Sequence, residues 1–358
     1  MVTLKDVAKQ AGVSTATVSN VINKRMNKVS SDVARKVQET AAELGYQPNL
    51  AARALRSSKS NVIGILSEDI ATFQVNNIVQ GINQTVDGEN CHIFLADLNL
   101  SEKIWHDGTQ DYRKVSEYRS QIQEKLDIFQ NMGVGGVIYV GMHDRDVTGL
   151  VQTRLPLVYA YSYTKNEEDY TVNNDNQKVA QEAVAAMVRC GHRRIGLISG
   201  PIDSVPAYKR LMGYQTALMN GGIVLNPQLI AYGNWSVDSG EAACRKLMEH
   251  EERPTALFCM NDWMAVGAMR YLKKAGIKAG EDIVLMGFDD IDLCDFIEPA
   301  LTSVHVPLTE IGRLAAKKAI ALMNGSLECA HREELPCRIV QRDTFRYPGG
   351  GEQGLASL

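Results

Sequence analysis

The sequence predicts an α/β protein: a small three-helix head followed by two doubly wound, Rossmann-like parallel-sheet lobes. Three observations carry that expectation. Residues 4–44 show helical spacing punctuated by caps. From Val62 onward, short apolar runs alternate with helical stretches about eight times, more than one modest sheet holds. The length of 358 residues, with 45% apolar and 22% charged side chains, supplies cores for two or three folded units.

The head reads in order. Thr3 caps a first helix over Leu4 to about Ala11, with Leu4, Val7, Ala8 and Ala11 at helical spacing. Gly12 ends it as a left-handed turn residue. Ser14 caps a second helix over Thr15 to Ile22, whose apolar set is Ala16, Val18, Val21 and Ile22. Two short helices joined by a glycine-containing turn form a helix-turn-helix. Ser30 or Ser31 caps a third helix ending near Leu44, with Val33, Val37, Ala41 and Leu44 as its buried stripe. The second helix exposes Thr15, Thr17, Ser19, Asn20 and Asn23, where a merely solvated face carries Glu and Lys. Short hydroxyls and amides suit close approach to phosphates and base edges.

Charge points the same way. Residues 1–60 carry ten Lys/Arg and four Asp/Glu, a net of +6, while the remainder sums to −10. A basic head on an acidic body suits a polyanion at one end only. After the head, Pro48 stops the helical run and Asn49 caps a short helix over 50–56, followed by a polar linker through Asn61. Seven residues are too few for an isolated helix, because nucleation alone needs roughly a dozen or more.

Strands are expected at 62–67, 92–97, 134–140, 157–161, 194–199, 229–231, 256–260 and 283–287. In doubly wound sheets ligands sit at the carboxyl ends of the strands, so two facing lobes predict a cleft. The segment 99–117 is longer and more polar than the pattern needs and is expected to be a surface excursion.

Other classes are disfavoured. No apolar run reaches the ~20 residues of a membrane span, and the polar N-terminus lacks a secretory signal, so a cytoplasmic protein is expected. Seven scattered cysteines (Cys91, Cys190, Cys244, Cys259, Cys294, Cys329 and Cys337) make a poor disulfide framework and read as small buried hydrophobes. No nucleophile elbow, P-loop or dinucleotide fingerprint appears, and the seven histidines show no ligand pairing. No enzyme, metal or cofactor is implied.

The runs L-K-D-V-A-K-Q-A-G-V-S-T-A-T-V-S-N-V-I-N (4–23) and V-S-S-D-V-A-R-K-V-Q-E-T-A-A-E-L-G-Y-Q-P-N (29–49) resemble the N-terminal signature of the LacI/GalR family of bacterial regulators. The body carries similar landmarks at 189–201, 210–214, 256–269 and 284–290, and resembles periplasmic sugar-binding proteins as well. The resemblance implies a sequence-specific DNA-binding repressor, with the second helix in the major groove. Thr15, Ala16 and Asn20 would read bases, while Ser14, Thr17, Ser19, Asn23 and Tyr46 would hold phosphates. In the short helix, Leu55 would wedge into a minor-groove base step with Ala52 beside it. Arg210, Asn261, Asp289 and Trp235 would line the effector cleft, and Asp262 and Asp290 would act as helix caps or struts.

This sequence departs from the family in the near lobe. The segment Asp69-Ile70-Ala71-Thr72-Phe73-Gln74-Val75 puts an amide, Gln74, where a pocket aromatic is common, and Tyr161 stands at a crossover position often held by Asp or Arg. The effector is therefore not carried over from any member.

The resulting division is a helix-turn-helix domain at 1–47, a hinge helix and linker at 48–61, an effector core at 62–346 and a flexible tail at 347–358. Within the core, the near lobe takes 62–161 and 307–323, and the far lobe 162–304 and 324–346. The expected partners are double-stranded operator DNA, a small effector such as a sugar, and a second copy in a homodimer, with no membrane. Two rival readings are a global catabolite regulator that docks a phosphocarrier protein, and a solute-binding protein without a regulatory role.

Overall fold

A capping box starts the chain's first helix. Thr3 Oγ1 accepts from the Asp6 amide at 3.4 Å, and Asp6 Oδ2 accepts from the Thr3 amide at 2.8 Å. The structure is a computed structural model that describes residues 2–22, 29–46, 60–89, 91–106, 109–110, 112–326 and 330–347, with backbone alone at 105, 106, 109, 110, 112 and 113. The chain forms two compact units, Met1–Ser60 and Asn61–Leu358.

In the first unit, α1 (Leu4–Ala11) ends at Gly12 with φ 68°, α2 (Thr15–Ile22) follows, and α3 (Ser31–Glu43) completes the head. Ser14 Oγ accepts from the Thr17 amide at 3.0 Å, which fixes the start of α2. Val7, Ala11, Val18, Val21 and Val37 form its small core, each at most 2% exposed. Two expectations shift. The buried face of α3 is Ala34, Val37, Thr40 and Ala41, so Val33 and Leu44 sit half-buried at its edges. Ser30 occupies the N-cap of α3 without a side-chain cap bond. Asn23, the hinge helix with Ala52 and Leu55, and the tail beyond 347 lie outside the described residues.

The second unit begins with β1 (Val62–Ser67), buried at all six positions, as a strand covered on both faces must be. It continues through α4 (Phe73–Val86), β2 (His92–Asp97), α5 (Arg119–Asn131), β3 (Gly136–Val140), β4 (Leu157–Ala160) and β5 (Tyr170–Asn174). The chain then crosses into a second lobe: α6 (Asn176–Arg189), β6 (Ile195–Ser199), α7 (Val205–Asn220), β7 (Ile230–Tyr232), α8 (Val237–Met248), β8 (Ala256–Cys259), α9 (Asp262–Lys274), β9 (Val284–Asp289) and β10 (Ser303–His305). It returns with α10 (Leu308–Met323) and β11 (Arg332–Leu335) and crosses a third time to β12 (Arg338–Val340). The near sheet runs β11-β5-β4-β3-β1-β2, all parallel. The far sheet runs β12-β10-β9-β8-β6-β7, parallel except for its antiparallel edge strand β12.

These pairings correct the lobe boundaries. Residues 170–174 and 332–335, placed in the far lobe by sequence, belong to the near sheet, with Val158 opposite Tyr170 and Arg332 opposite Thr171. The first crossing therefore follows Asn174, not Tyr161. Strand β5 escaped notice because Asn173 and Asn174 break its apolar run. Both are buried, and the Asn173 side-chain amide donates to the Ser162 carbonyl at 2.9 Å.

The 99–117 excursion is also more than surface. It contains a helical turn (Leu100–Lys103), a two-residue-per-strand hairpin and a 3₁₀ segment (Tyr112–Tyr118). Leu100, Ile104 and Val115 anchor it in the main core. Of the cysteines, Cys244, Cys259 and Cys294 are buried as expected, Cys91 and Cys337 are half-buried, Cys190 is exposed, and Cys329 lies outside the described residues.

Candidate functional site

The carboxyl ends of both sheets face a cleft of about 810 Å³. Gln74, Tyr161, Arg210, Trp235, Asn261 and Asp289 all line it, although they come from six different segments of the chain. Arg210, on α7, is 3% exposed and held from four sides. Its Nε donates to Asn176 Oδ1 at 2.9 Å and one terminal nitrogen donates to the Met260 carbonyl. Its guanidinium lies 3.4 Å from the centroid of the Phe288 ring, and its other terminal nitrogen is 3.9 Å from Asp289 Oδ1. Stacked and hydrogen-bonded in this way, the fork is fixed before any ligand arrives.

Asp289 ends β9 with φ 113°, a conformation few side-chain-bearing residues adopt, and Asp290 follows with φ 59°. Two struts hold this turn. Asp290 pairs with Arg342 at 2.8 Å and with His305 Nδ1 at 2.9 Å, while Asp262 accepts from the Ile291 amide at 3.0 Å and from Ser303 Oγ at 2.6 Å. Burial pushes the Asp289 carboxyl up to about 8, with Arg210 pulling the other way. Burial also raises Asp262, to about 6, against its hydrogen bonds.

Trp235 has φ 73°, and its ring packs against Gly200, where a Cβ would come within 2.1 Å of the indole. Its shielded indole N–H has no acceptor among the described residues. Asn261 is the N-cap of α9: its Oδ1 accepts from the Met264 amide at 2.9 Å and its Nδ2 donates to the Trp235 carbonyl at 3.0 Å. The cap is thus Asn261 and not Asp262, which is a strut. Tyr161 is buried with φ 56°, and burial pushes its phenol far up. His143, half-buried on the cleft wall, is driven down to about 3 by desolvation, with Arg145 and Arg210 adding to the shift, so it is neutral.

On the head, Ser14, Thr15 and Ala16 are exposed, while Thr17, Ser19, Asn20 and Tyr46 are half-buried. The Ser14 and Thr17 hydroxyls lie 2.9 Å apart, so both serve the cap of α2 as well as facing outward. Ala16, one of the four apolar positions of α2, stays out of the core.

Residues 3–49 match the family of bacterial regulatory proteins, lacI family, and residues 184–345 match the periplasmic binding protein-like domain. The HTH-type transcriptional repressor CytR of Escherichia coli strain K12 is 32% identical over 349 residues, covering 96% of each chain. This chain belongs to the LacI family. It is a DNA-binding transcriptional repressor under small-molecule control. Catabolite control protein A of Priestia megaterium is similar as well, at 31% identity over 96% of this chain and 99% of its own. A lac repressor dimer bound to operator and the anti-inducer ONPF superposes with a TM-score of 0.79 at 28% identity, covering 96% of this chain and 98% of that one.

The LacI-family cleft also contains residues that sequence reading missed. Phe73, Asn76, Asn77 and Gln80 line it from α4, Met142 and His143 from the loop after β3, and Trp263 from α9. The α4 set was legible in principle. Its positions follow i, i+3, i+4, i+7, opposite the buried Val75, Ile78, Val79 and Ile82. Phe73 restores an aromatic beside Gln74, one residue before the departure from the family pattern. His192 has a structural role, with Nδ1 3.0 Å from Thr255 Oγ1. Among the described residues no His, Cys, Asp or Glu cluster could hold a metal, and no helix is long and apolar enough to cross a membrane.

Proposed function

We propose that this regulator binds a two-fold-related operator as a homodimer in the cytoplasm, and that a sugar or sugar derivative in the cleft decides whether it stays there. The convergence of Arg210, Asp289, Trp235, Asn261, Tyr161 and Gln74 on one cavity carries the reading. A fixed guanidinium, a buried acid, amides and an indole face match hydroxyl pairs and the apolar face of a sugar ring. On the DNA side, α2 enters the major groove. Thr15, Ala16 and Asn20 meet base edges, and Ser14, Thr17, Ser19, Asn23 and Tyr46 meet phosphates. Ala52 and Leu55 enter the minor groove. Effector binding biases a two-state rearrangement of the lobes, with coupling of typically ~1–3 kcal/mol.

The test is fluorescence anisotropy with duplexes enriched by this protein from a random pool. Tight binding over random competitor at moderate salt, altered by a sugar, supports the reading. No preference over competitor with any metabolite added defeats it. The similarity to a catabolite control protein favours a second reading, in which the body also docks a phosphocarrier protein. Capture of such a partner from lysate, independent of added sugar, would select it.

A further inference from the structure

We propose that the cleft takes an uncharged saccharide of at least two rings, with an outer ring site formed by Trp263 and the amide face of α4. This inference rests on the cleft being the effector site and adds a ligand class and a second subsite to it.

Size comes first. A volume of about 810 Å³ sits toward the top of the ~300–1,000 Å³ range of small-molecule sites, generous for a single pyranose. The polar wall is also long. From Phe73 to Gln80 the lining face of α4 advances two turns, ~10 Å along its axis, beyond the width of one ring. Its side chains Asn76, Asn77 and Gln80 are amides, each both donor and acceptor, as sugar hydroxyls are. Asn77 spends one N–H on the Phe73 carbonyl at 2.9 Å and keeps its oxygen. Asn76 and Gln80 are exposed at the mouth.

Trp263 lines the same cavity while 45% exposed, at the second position of α9. A helix-borne indole left half in solvent at a cleft mouth is a stacking platform for a ring. The lining holds a second indole, Trp235, from the loop before α8. Two indoles on separate elements thus mark two ring positions.

The lining offers no surplus of cations for an anionic sugar. Arg210 is the only cation among the described lining residues, and Asn176 and the Met260 carbonyl already accept from it. His143 is neutral, and the exposed carboxylate of Asp292 at the rim repels anions.

The experiment is isothermal titration calorimetry of the full chain. The panel contains glucose, galactose, fructose and xylose, their common α- and β-linked disaccharides, glucose 6-phosphate, and adenosine and cytidine. We expect at least one disaccharide to bind more tightly than its component monosaccharides. Trp263→Ala and Gln80→Ala, both at exposed positions, should each weaken it by roughly tenfold, the scale of one lost stacking or polar contact, and leave monosaccharide binding unchanged. A monosaccharide that binds as tightly as every disaccharide overturns the second subsite, as does equal weakening of both ligand sizes by Trp263→Ala. Binding by the phosphate or a nucleoside alone, or by nothing in the panel, overturns the ligand class. Operator binding, measured separately, is untouched by any of these outcomes and so distinguishes this failure from failure of the regulatory reading.

Discussion

Lys209 Nζ of the far lobe lies 2.6 Å from Oδ2 of Asp144 in the near lobe, where that carboxylate is fully buried. The same oxygen accepts from Asn176 Nδ2 at 3.3 Å, and Asn176 Oδ1 in turn accepts from Arg210 Nε. A direct chain of polar contacts therefore runs from the interlobe ion pair to the arginine of the cleft. The Lys209 ammonium is held in its charged form by Asp144 against the cost of burial.

Removing one end of that pair strands the other. Lys209→Met leaves a buried carboxylate without its counter-ion and should cost about 1–3 kcal/mol in urea unfolding. Asp144→Asn should cost less, because a neutral amide replaces the buried charge. Equal stability of wild type and Lys209→Met would show that the pair does not hold the lobes.

Arg210→Lys keeps the charge but loses the planar fork that stacks on Phe288 and reaches both Asn176 and the Met260 carbonyl. Effector binding should fall at least ~100-fold, the scale of two charge-assisted hydrogen bonds. Operator affinity without effector should change little. Calorimetry for the ligand and anisotropy for DNA read the two effects separately.

Gly200→Ala places a methyl group where the Trp235 ring now lies. The indole must swing away, so its fluorescence should shift to longer wavelength and effector affinity should drop. An unchanged emission spectrum would mean that the ring has room to spare.

Acidity should stabilise the core. The folded state holds a proton on Asp289 up to about 8 and on Asp262 up to about 6, whereas the unfolded chain releases both near the ordinary carboxylate value. Stability is therefore full below that value and is lost as pH climbs toward 8. Thermal scans between pH 4 and 8 should show a falling midpoint. Asp289→Asn should flatten the upper half of the slope, and a rising midpoint across this window would contradict the assignment.

On the head, Asn20→Ala should relax base preference at one operator position, with a loss of about 1–3 kcal/mol for the preferred duplex and little for others. Uniform weakening across all sequences would reassign Asn20 to phosphate contact.

The head was legible almost residue by residue because its determinants are local. The Thr3 and Ser14 caps, the Gly12 turn and the spacing of Val7, Ala11, Val18 and Val21 act within one or two helical turns. The alternation of strands and helices, and hence the two-lobe core, was readable for the same reason. Six cleft residues were nominated by resemblance to a family pattern; periodicity alone says nothing of them.

Long-range pairing decided the rest. Which sheet receives Arg332–Leu335 depends on a partner strand more than 150 residues away, and the half-polar strand Tyr170–Asn174 carries only a weak apolar signal of its own. The amide face of α4 becomes part of a site only because Trp263 and Arg210, from distant segments, line the same cavity. Desolvation leads the shifts of Asp289 and His143, with Asp262 adding to the first and Arg145 and Arg210 to the second, and all of these neighbours are set by the packed chain. Caps and periodicity are written in neighbouring residues, whereas dielectric environment and facing walls exist only once distant segments have met.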